Sequence, residues 1–345
     1  MASRKSNRMA MAGWVTALGM SAIEPVSAGS MPVPGDVAAV NAPVTDQGEF
    51  SPTMRLQEVV EHPDMLGFGR HILPRPGETY NGDILLNRFG DLLPYHSNVQ
   101  PEEVVSSLDR LAGDARAGRQ VFYPFYTAEE IVADPAKADT GLFFLRGKSQ
   151  APLAIIAPGG GFSYVGTVHE GLPYAIAINA AELNAFVIRY RVGMGQQAAT
   201  EDMARAISFI FDHAAELQVS VSGYSVWGSS AGARMAALIG THGAAAFGGD
   251  DLPGPSTVVM AYTSHADIGQ AEPPTYVIVG ERDGIAPPSS MQQRVDRLRQ
   301  LGTEVEFRIV PGVGHGFGTG LGTPAEGWIG DAVRYWQANT AQPLL

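Results

Sequence analysis

The residues best suited to chemistry in this chain form the run Gly-Ser-Ser-Ala-Gly at 228–232. The residues before it are typical of the end of a strand, and residues 233–239 are typical of a helix. A serine at the centre of such a run, on a sharp strand-turn-helix junction, is typical of a nucleophile elbow that exposes the hydroxyl. The flanking glycines suit this turn because the two backbones approach closely there. Ser230 is the predicted nucleophile.

A serine hydroxyl becomes reactive when a base takes its proton and a carboxylate orients that base. Two loops downstream of Ser230 offer these groups, and each follows a predicted strand. His315, in the second loop, is the predicted base. In the first loop Asp283 is the predicted acid because the glycine after it suits a turn, and Glu281 is the competing carboxylate. The chain order serine, acid, histidine is one of the known orders of a catalytic triad.

A glycine-rich segment, Pro-Gly-Gly-Gly-Phe at 158–162, follows another predicted strand. Attack on a carbonyl places negative charge on its oxygen, and backbone N–H groups must already point at that position. Glycines allow the backbone to come close enough. A phosphate-binding loop is the alternative, but no Lys-Ser/Thr pair follows the run and no G-x-G-x-x-G pattern fits. The segment is therefore predicted to form an oxyanion hole.

Strands and helices must alternate to position these loops. Strands are predicted at 121–126, 140–145, 152–157, 185–190, 224–227, 257–262, 275–279 and 305–310, and helices at 101–117, 200–217, 233–239, 291–301 and 324–339. Continuous apolar strands that alternate with helices indicate an α/β fold with a mostly parallel central sheet and helices on both faces.

The N-terminus has the order of a secretory signal peptide. Arg4, Lys5 and Arg8 precede an uncharged stretch at 9–23, and Val-Ser-Ala at 26–28 fits a cleavage site. The stretch is too short to span a membrane. Residues 1–28 are the candidate signal peptide, and a disordered start is the alternative. The sequence thus predicts a periplasmic or secreted protein, or a cytoplasmic one if the segment is not a signal.

Residues 29–55 are rich in glycine, proline and alanine and are predicted to form a flexible arm. The catalytic domain is placed at 56–345, with 56–120 as an N-terminal wrapping or cap segment. The aromatic residues of that segment could fold over the site and build a longer channel: Phe68, Tyr80, Phe89 and Tyr95.

The charge balance narrows the possible partners. The chain has 345 residues, a formal net charge of −12 and no cysteine. An acidic chain without a basic cluster is a poor partner for nucleic acid or for an anionic membrane surface. The absence of cysteine excludes disulfides, thiolate metal sites and cysteine catalysis. The expected partner is a small-molecule ester, with no nucleic acid and no membrane insertion after signal removal.

From about residue 120 to the end, these motifs resemble the α/β-hydrolase superfamily of esterases and lipases, in the branch with a GGGF-type oxyanion loop. Within it the chain resembles the BD-FAE-type proteins, which are similar to acetylxylan and feruloyl esterases. The resemblance implies that the N–H groups of Gly160, Gly161 and Ala231 bind the oxyanion. Two positions depart from the family pattern and put the substrate class in question: Pro158, where many relatives carry histidine, and Ser229, where many carry an acidic residue.

The expected function is that of a serine carboxylester hydrolase that uses Ser230, His315 and Asp283 and needs no cofactor or metal. Short acyl chains are expected, including those of acylated carbohydrates, because the sequence has no long apolar run for an oil interface. The predicted substrate contacts are Phe162, Tyr164, His169, Tyr262 and His265.

Two alternatives remain at this point. One is a serine peptidase of the prolyl-oligopeptidase type, although residues 1–120 are too few for the large β-propeller that such enzymes usually carry. The other is a catalytically inactive hydrolase fold that serves in binding, against which the complete triad order and the oxyanion loop argue.

Overall fold

A computed structural model describes residues 49–340, so the candidate signal peptide and residues 29–48 of the predicted arm lie outside the described residues. The described chain contains an eight-stranded sheet with the order β1-β2-β4-β3-β5-β6-β7-β8. β1 and β2 run antiparallel to their neighbours, and the remaining pairs are parallel. The strands are β1 (Phe122–Tyr123), β2 (Gly141–Leu145), β3 (Pro152–Ala157), β4 (Asn184–Arg189), β5 (Ser220–Ser229), β6 (Thr257–Ala261), β7 (Thr275–Gly280) and β8 (Val305–Val310).

The helices connect these strands and cover the sheet. They are α1 (Leu56–Val60), α2 (Pro101–Arg116), α3 (Ala128–Ala133), α4 (Leu172–Asn179), α5 (Gly195–Asp212), α6 (Ala214–Leu217), α7 (Ala231–His242), α8 (Pro288–Gln300) and α9 (Trp328–Thr340). One turn of π-helix, Thr167–Gly171, leads into α4. Within residues 49–340, no helix combines the length and the apolar character needed to cross a membrane.

The order of the strands reverses at β3. The chain passes from β3 to its neighbour β4 and then returns to β5 on the other side of β3. In open α/β sheets, sites form at the carboxyl ends of the strands where this reversal occurs. The glycine-rich segment follows β3 and Ser230 follows β5, so the fold brings both to one crevice.

Side chains of the central strands alternate between two apolar cores, one on each face of the sheet. In β3, for example, Ala154 and Ile156 face the core formed with α2, α4 and α9, whereas Leu153 and Ile155 face the core formed with α5, α7 and α8. Both faces are covered, which explains the mostly apolar sequences of the central strands β3, β6 and β7. The predicted fold class is confirmed.

The segment before β1 is part of the first core. Leu56 and Phe89 are buried there together with side chains of the sheet, and α2 packs against α4. The end of the predicted arm is also packed, because Phe50 is buried and its N–H donates to the Asp109 carboxylate at 3.0 Å. Residues 49–120 thus pack against the sheet and its helices, and they are called the wrapping segment below.

Several helices differ from the sequence expectation. The helix expected at 200–217 begins at Gly195 and is interrupted at His213, between α5 and α6. The helix expected from residue 324 begins at Trp328, because the preceding turns contain Gly320, Gly322 and Gly327 with positive φ. α4 was not expected, because its sequence is apolar on all sides and shows no amphipathic period.

Candidate active site

Ser230 lies on a strained turn between β5 and α7. Its φ is +50°, in the left-handed region that a serine rarely adopts. Its N–H donates to the carbonyl of Ala261 at 2.9 Å, which ties the turn to β6. A Cβ on Gly232 would overlap the carbonyl oxygen of Ala157, and a Cβ on Gly228 would overlap the backbone of Gly232. Both glycines are therefore required by the close approach of α7 to the sheet.

Three side chains form a hydrogen-bonded series at this turn. His315 Nε2 is 2.9 Å from Ser230 Oγ, and His315 Nδ1 is 2.8 Å from Asp283 Oδ2. The second carboxylate oxygen, Asp283 Oδ1, accepts the N–H groups of Ile285 and Ala286 at 2.9 and 2.7 Å. The carboxylate is thus fixed by its own loop and presents one oxygen to the imidazole. This is the geometry in which a histidine can take a proton from a serine.

Glu281, the competing carboxylate, points away from the imidazole. Its Oε2 accepts the N–H of Gly312 at 2.9 Å, and the side chain is exposed. Asp283 and Glu281 are two residues apart at the end of β7, and only Asp283 is bonded to His315. Of the two candidate acids, Asp283 is therefore the one within hydrogen-bond distance of His315.

The glycine-rich segment presents backbone donors to the same crevice. Gly160 and Gly161 have φ values of 134° and 62°, which other residues rarely adopt. A Cβ on Gly159 would lie 3.0 Å from Ser230 Cβ, so the segment passes close to the nucleophile. Among the described residues, the N–H groups of Gly160, Gly161 and Ala231 have no hydrogen-bond acceptor. Ala231 is the first residue of α7, where the helix adds positive potential.

Four of the five predicted substrate contacts are buried, which corrects that expectation. The Tyr164 hydroxyl accepts the N–H of Tyr95 at 2.9 Å. His169 Nε2 bonds the carbonyl of Gly316 at 3.0 Å.

Tyr262 is also enclosed, with its ring 5.2 Å from that of His315. His265 is buried, and burial followed by the charge of Arg294 lowers its pKa to about 4. These four side chains therefore support the site from inside. Phe162 alone is partly exposed, beside Gly161 on the oxyanion loop.

Sequence reasoning missed the buried acid Glu170 and the side chain that faces it. Glu170 Oε1 is 2.9 Å from His96 Nε2 and accepts the hydroxyl of Tyr262 at 2.6 Å. Glu170 Oε2 accepts the N–H of Gly159, the residue that opens the oxyanion loop. Burial acts to raise the pKa of Glu170, but the charge and hydrogen bond of His96, together with His169 and Tyr262, outweigh burial and hold this pKa below its usual range. Glu170 is therefore ionised.

The wrapping segment also contributes to the site. The Ser97 hydroxyl donates to the carbonyl of His315 at 2.7 Å, and the Ser97 N–H donates to the carbonyl of Gly316 at 2.9 Å. The aromatic ring of Tyr95 is 45% exposed and stacks on Tyr164, with 5.7 Å between ring centroids. Residues 95–97 thus border both the oxyanion loop and the histidine loop.

One group of side chains in the described part of the chain has the spacing of metal ligands, namely Glu49, His62 and Asp64. Arg116 forms ion pairs with both carboxylates of this group. A cationic side chain therefore already pairs with both carboxylates of the cluster.

Two protein families match adjoining parts of the chain. The BD-FAE model matches residues 145–253, which carry the oxyanion loop and Ser230. The prolyl oligopeptidase family model matches residues 255–336, which carry Asp283 and His315. The two matches together cover most of the sheet and all the side chains of the hydrogen-bonded series.

Similar proteins include an acetylxylan esterase from Xylanibacter ruminicola, which is 22% identical over 219 residues. That match covers 55% of this chain and 45% of the relative, so the chain spans less than half of this curated relative.

Solved structures with the same fold include an acetyl ester-xyloside bifunctional hydrolase from Caldicellulosiruptor lactoaceticus. It is 22% identical with a TM-score of 0.54, over 63% of this chain and 95% of the other. An α/β-hydrolase enzyme from a Medee basin deep-sea metagenome library is 24% identical with a TM-score of 0.51; the match covers 59% of this chain and 93% of that chain. A carboxylesterase from Lactobacillus plantarum WCFS1 is 19% identical with a TM-score of 0.50, over 58% and 92%.

The reversal of strand order, the strand-turn-helix junction at Ser230 and these structural likenesses show that the chain has the α/β-hydrolase fold. The resemblance to BD-FAE-type proteins expected from the sequence motifs is confirmed by the match of that family model to residues 145–253.

Proposed function

We propose that this protein hydrolyses carboxylic esters with a Ser230–His315–Asp283 triad. One observation carries the proposal, namely the hydrogen-bonded series from Asp283 through His315 to Ser230. The series ends at a hydroxyl on a strained elbow, beside backbone N–H groups that have no acceptor within residues 49–340. This is the combination that nucleophilic acyl transfer needs.

The steps follow from the geometry. Ser230 Oγ attacks the ester carbonyl carbon while His315 Nε2 takes the hydroxyl proton. The oxyanion accepts hydrogen bonds from the N–H groups of Gly160, Gly161 and Ala231. When the intermediate collapses, the imidazolium gives its proton to the leaving alcohol. A water molecule then attacks the acyl carbonyl carbon while His315 takes its proton. The bond to Ser230 Oγ breaks, the imidazolium returns the proton to Ser230 Oγ and the acid leaves; Asp283 stabilises the imidazolium in both halves of the cycle.

Short acyl chains are the proposed substrates. Of the four aromatic residues that could have built a longer channel, Phe68 and Phe89 are buried in the core. The Tyr80 hydroxyl is engaged with the N–H of Arg75 at 2.7 Å. Tyr95 alone borders the oxyanion loop, with a ring carbon 3.0 Å from where a Cβ on Gly161 would lie. An exposed aromatic ring at this place can pack against a sugar ring, which suits acylated carbohydrates.

The test is a series of p-nitrophenyl esters with acetyl, butyryl and palmitoyl groups, together with Ser230→Ala. We expect the highest kcat/KM for acyl groups of about two to six carbons and labelling of Ser230 by a fluorophosphonate. The loss in kcat for Ser230→Ala should be roughly 10⁶-fold, as in another serine hydrolase. A preference for palmitate would reject the short-chain proposal, and a Ser230→Ala variant with a tenth of the wild-type rate would reject the nucleophile.

A peptidase is the second candidate because the prolyl oligopeptidase family model matches residues 255–336. In the part of the chain that the structure describes, the strands belong to one sheet, with no propeller. We therefore expect hydrolysis of a p-nitrophenyl ester to exceed that of a Gly-Pro p-nitroanilide by several orders of magnitude. The reverse preference would establish the peptidase. Absence of fluorophosphonate labelling would instead point to a catalytically inactive fold that binds a ligand.

Export is part of the proposal. It is supported by the basic, apolar and small-residue order of residues 1–28. Mass spectrometry of protein from the native host should find a mature N-terminus near Gly29 in the periplasm or medium. An intact N-terminus in the cytosolic fraction would refute export. The proposed partner is the small-molecule ester, and the net charge of −12 argues against nucleic acid.

A further inference from the structure

Glu170 is a charged group that the proposed acyl-transfer steps do not use. Its side chain is fully buried, on the π-turn directly beside the oxyanion loop. Both carboxylate oxygens are engaged: Oε2 with the N–H of Gly159, and Oε1 with the Tyr262 hydroxyl and His96 Nε2. A buried carboxylate is costly unless its partners satisfy it, so its presence beside the nucleophile calls for a role.

The hydrogen bonds around the loop indicate that role. The N–H of Gly159 is held by the carboxylate, and its carbonyl accepts the N–H of Gly166 at 3.0 Å. The carbonyl of Gly160 accepts the N–H groups of Ser163 and Tyr164 at 3.0 and 3.2 Å. The peptide groups at the start of the loop are thus fixed by bonds outside the crevice. The N–H groups of Gly160 and Gly161 are left without an acceptor in residues 49–340.

The wrapping segment supplies the group that holds the carboxylate. His96 has a side chain only 2% exposed, and its Nδ1 is 2.8 Å from the Tyr164 hydroxyl. The imidazole therefore lies between Tyr164 and Glu170, with Nε2 as the donor to the carboxylate. A Cβ on Gly166 would lie 2.9 Å from His96 Nε2, so the ring is packed against the backbone of Gly166, whose N–H donates to the carbonyl of Gly159.

The negative charge of Glu170 is a second reason for the bond to His96. A Cβ on Gly159 would lie 3.0 Å both from Glu170 Oε2 and from Ser230 Cβ, so the carboxylate is close to the nucleophile. A negative charge there opposes the oxyanion that forms during attack. Hydrogen bonds from His96 and Tyr262 draw this charge toward Oε1, away from the crevice. The Glu170 carboxylate can then orient the oxyanion loop with less electrostatic repulsion of the oxyanion.

We propose that Glu170 is a positioning residue that fixes the oxyanion loop through the N–H of Gly159, and that His96 of the wrapping segment holds Glu170 in place. This inference rests on the proposed function, because it assigns the residues that prepare the same site for catalysis. It also gives residues 95–97 a part in activity rather than in covering the core alone.

The first test is Glu170→Gln, measured with p-nitrophenyl acetate. The amide retains the size of the carboxylate but turns one acceptor into a donor, which faces the N–H of Gly159 or the donors on Tyr262 and His96. We expect kcat to fall about 100-fold, in the range seen when an oxyanion donor is removed, with KM changed less than about threefold. An alkylboronic acid that forms a tetrahedral adduct on Ser230 should bind more weakly by about the same factor as kcat falls.

Glu272→Gln is the matched control. Glu272 is also buried, and it bonds Arg294 Nη2 at 2.6 Å, the Thr241 hydroxyl at 2.8 Å and the N–H of Gly269 at 2.8 Å. It bonds no residue of the proposed triad or oxyanion loop. We expect a lower Tm but a kcat within twofold of the wild type. Equal losses of kcat in the two variants would show general destabilisation and overturn the inference.

A second pair of variants tests the inference if the Glu170→Gln variant does not fold. His96→Gln keeps an N–H donor near the position of Nε2, whereas His96→Leu removes it. We expect kcat of the leucine variant to be about tenfold below that of the glutamine variant, and equal values would refute the inference. A wild-type protein without esterase activity or fluorophosphonate labelling would instead refute the proposed function, so the two failures are distinguishable.

Discussion

Replacement of Asp283 by asparagine should stop the proposed triad through a change of histidine tautomer. Asp283 Oδ1 accepts two backbone N–H groups, from Ile285 and Ala286, so the asparagine oxygen must occupy that position. The amide NH₂ then faces His315 Nδ1 at the 2.8 Å that separates the two groups now. A donor at this place requires a lone pair on Nδ1, and the imidazole proton moves to Nε2.

The consequence falls on Ser230. A protonated Nε2 at 2.9 Å from Ser230 Oγ cannot accept the hydroxyl proton. The same change in another serine hydrolase lowers kcat about 10⁴-fold, which corresponds to about 5.4 kcal/mol in the activation barrier. We expect a loss of this order for p-nitrophenyl acetate at pH 8, with KM nearly unchanged and cooperative unfolding retained.

Glu281→Gln is the matched control from the same loop. Glu281 accepts one hydrogen bond, from the N–H of Gly312, and a glutamine oxygen can accept the same bond. Its kcat should stay within about twofold of the wild type because the side chain is exposed. A larger loss for Glu281→Gln than for Asp283→Asn, or an Asp283→Asn variant above a tenth of the wild-type rate, would refute the assigned acid.

Two further predictions concern stability. Gly232→Ala should lower the free energy of unfolding by about 1–3 kcal/mol or more, because the new Cβ meets the carbonyl of Ala157. Gly113→Ala in α2, where a Cβ has open space, should instead raise the free energy of unfolding by about 0.5–1 kcal/mol. Urea unfolding of both variants checks this, and equal effects would contradict it. Lowering the pH from 7 to 5 should also destabilise the protein. Burial, followed by the charge of His96, lowers the pKa of His169 to about 4, and burial does the same for His265. Between about pH 4 and about 6.5 the unfolded chain binds more protons than the folded chain. The free energy of unfolding therefore decreases as the pH is lowered, by at most about 1.4 kcal/mol per pH unit for each histidine. Equal free energies of unfolding at pH 7 and 5 would refute this reasoning.

Much of the fold could be predicted because the sheet is built from short apolar runs. β3 and β8 have the bounds expected from the sequence, since each run is closed by clear turn residues. The elbow was recognisable for a similar reason. Its glycines are required by contacts within a few residues of Ser230, and this requirement appears as a local motif.

The supporting residues of the site could not be found in this way. His96 and Glu170 are far apart in the chain and belong to no recognised spacing, and their link is the fold itself. His169 was selected as a substrate contact, but its ring is buried and the functional link belongs to the next residue, Glu170. Residue type and loop position indicate that a side chain is near a site, but not whether it faces the substrate or the core.

The bonds from Ser97 to the histidine loop have a consequence for when the enzyme becomes active. The bond between Ser97 and His315 joins residues that are 218 positions apart, and such a contact forms only after the intervening chain has lost the entropy of a very long loop. Residues 95–97 can therefore make these bonds only after β8, the last strand of the sheet, and the loop that follows it are in place. A ribosome-bound chain that lacks β8 and the loop after it contains the elbow with Ser230, but it lacks His315, which is both the proposed base and the residue that Ser97 bonds. The proposed hydrolysis therefore requires that the chain has been synthesised and folded through the loop after β8.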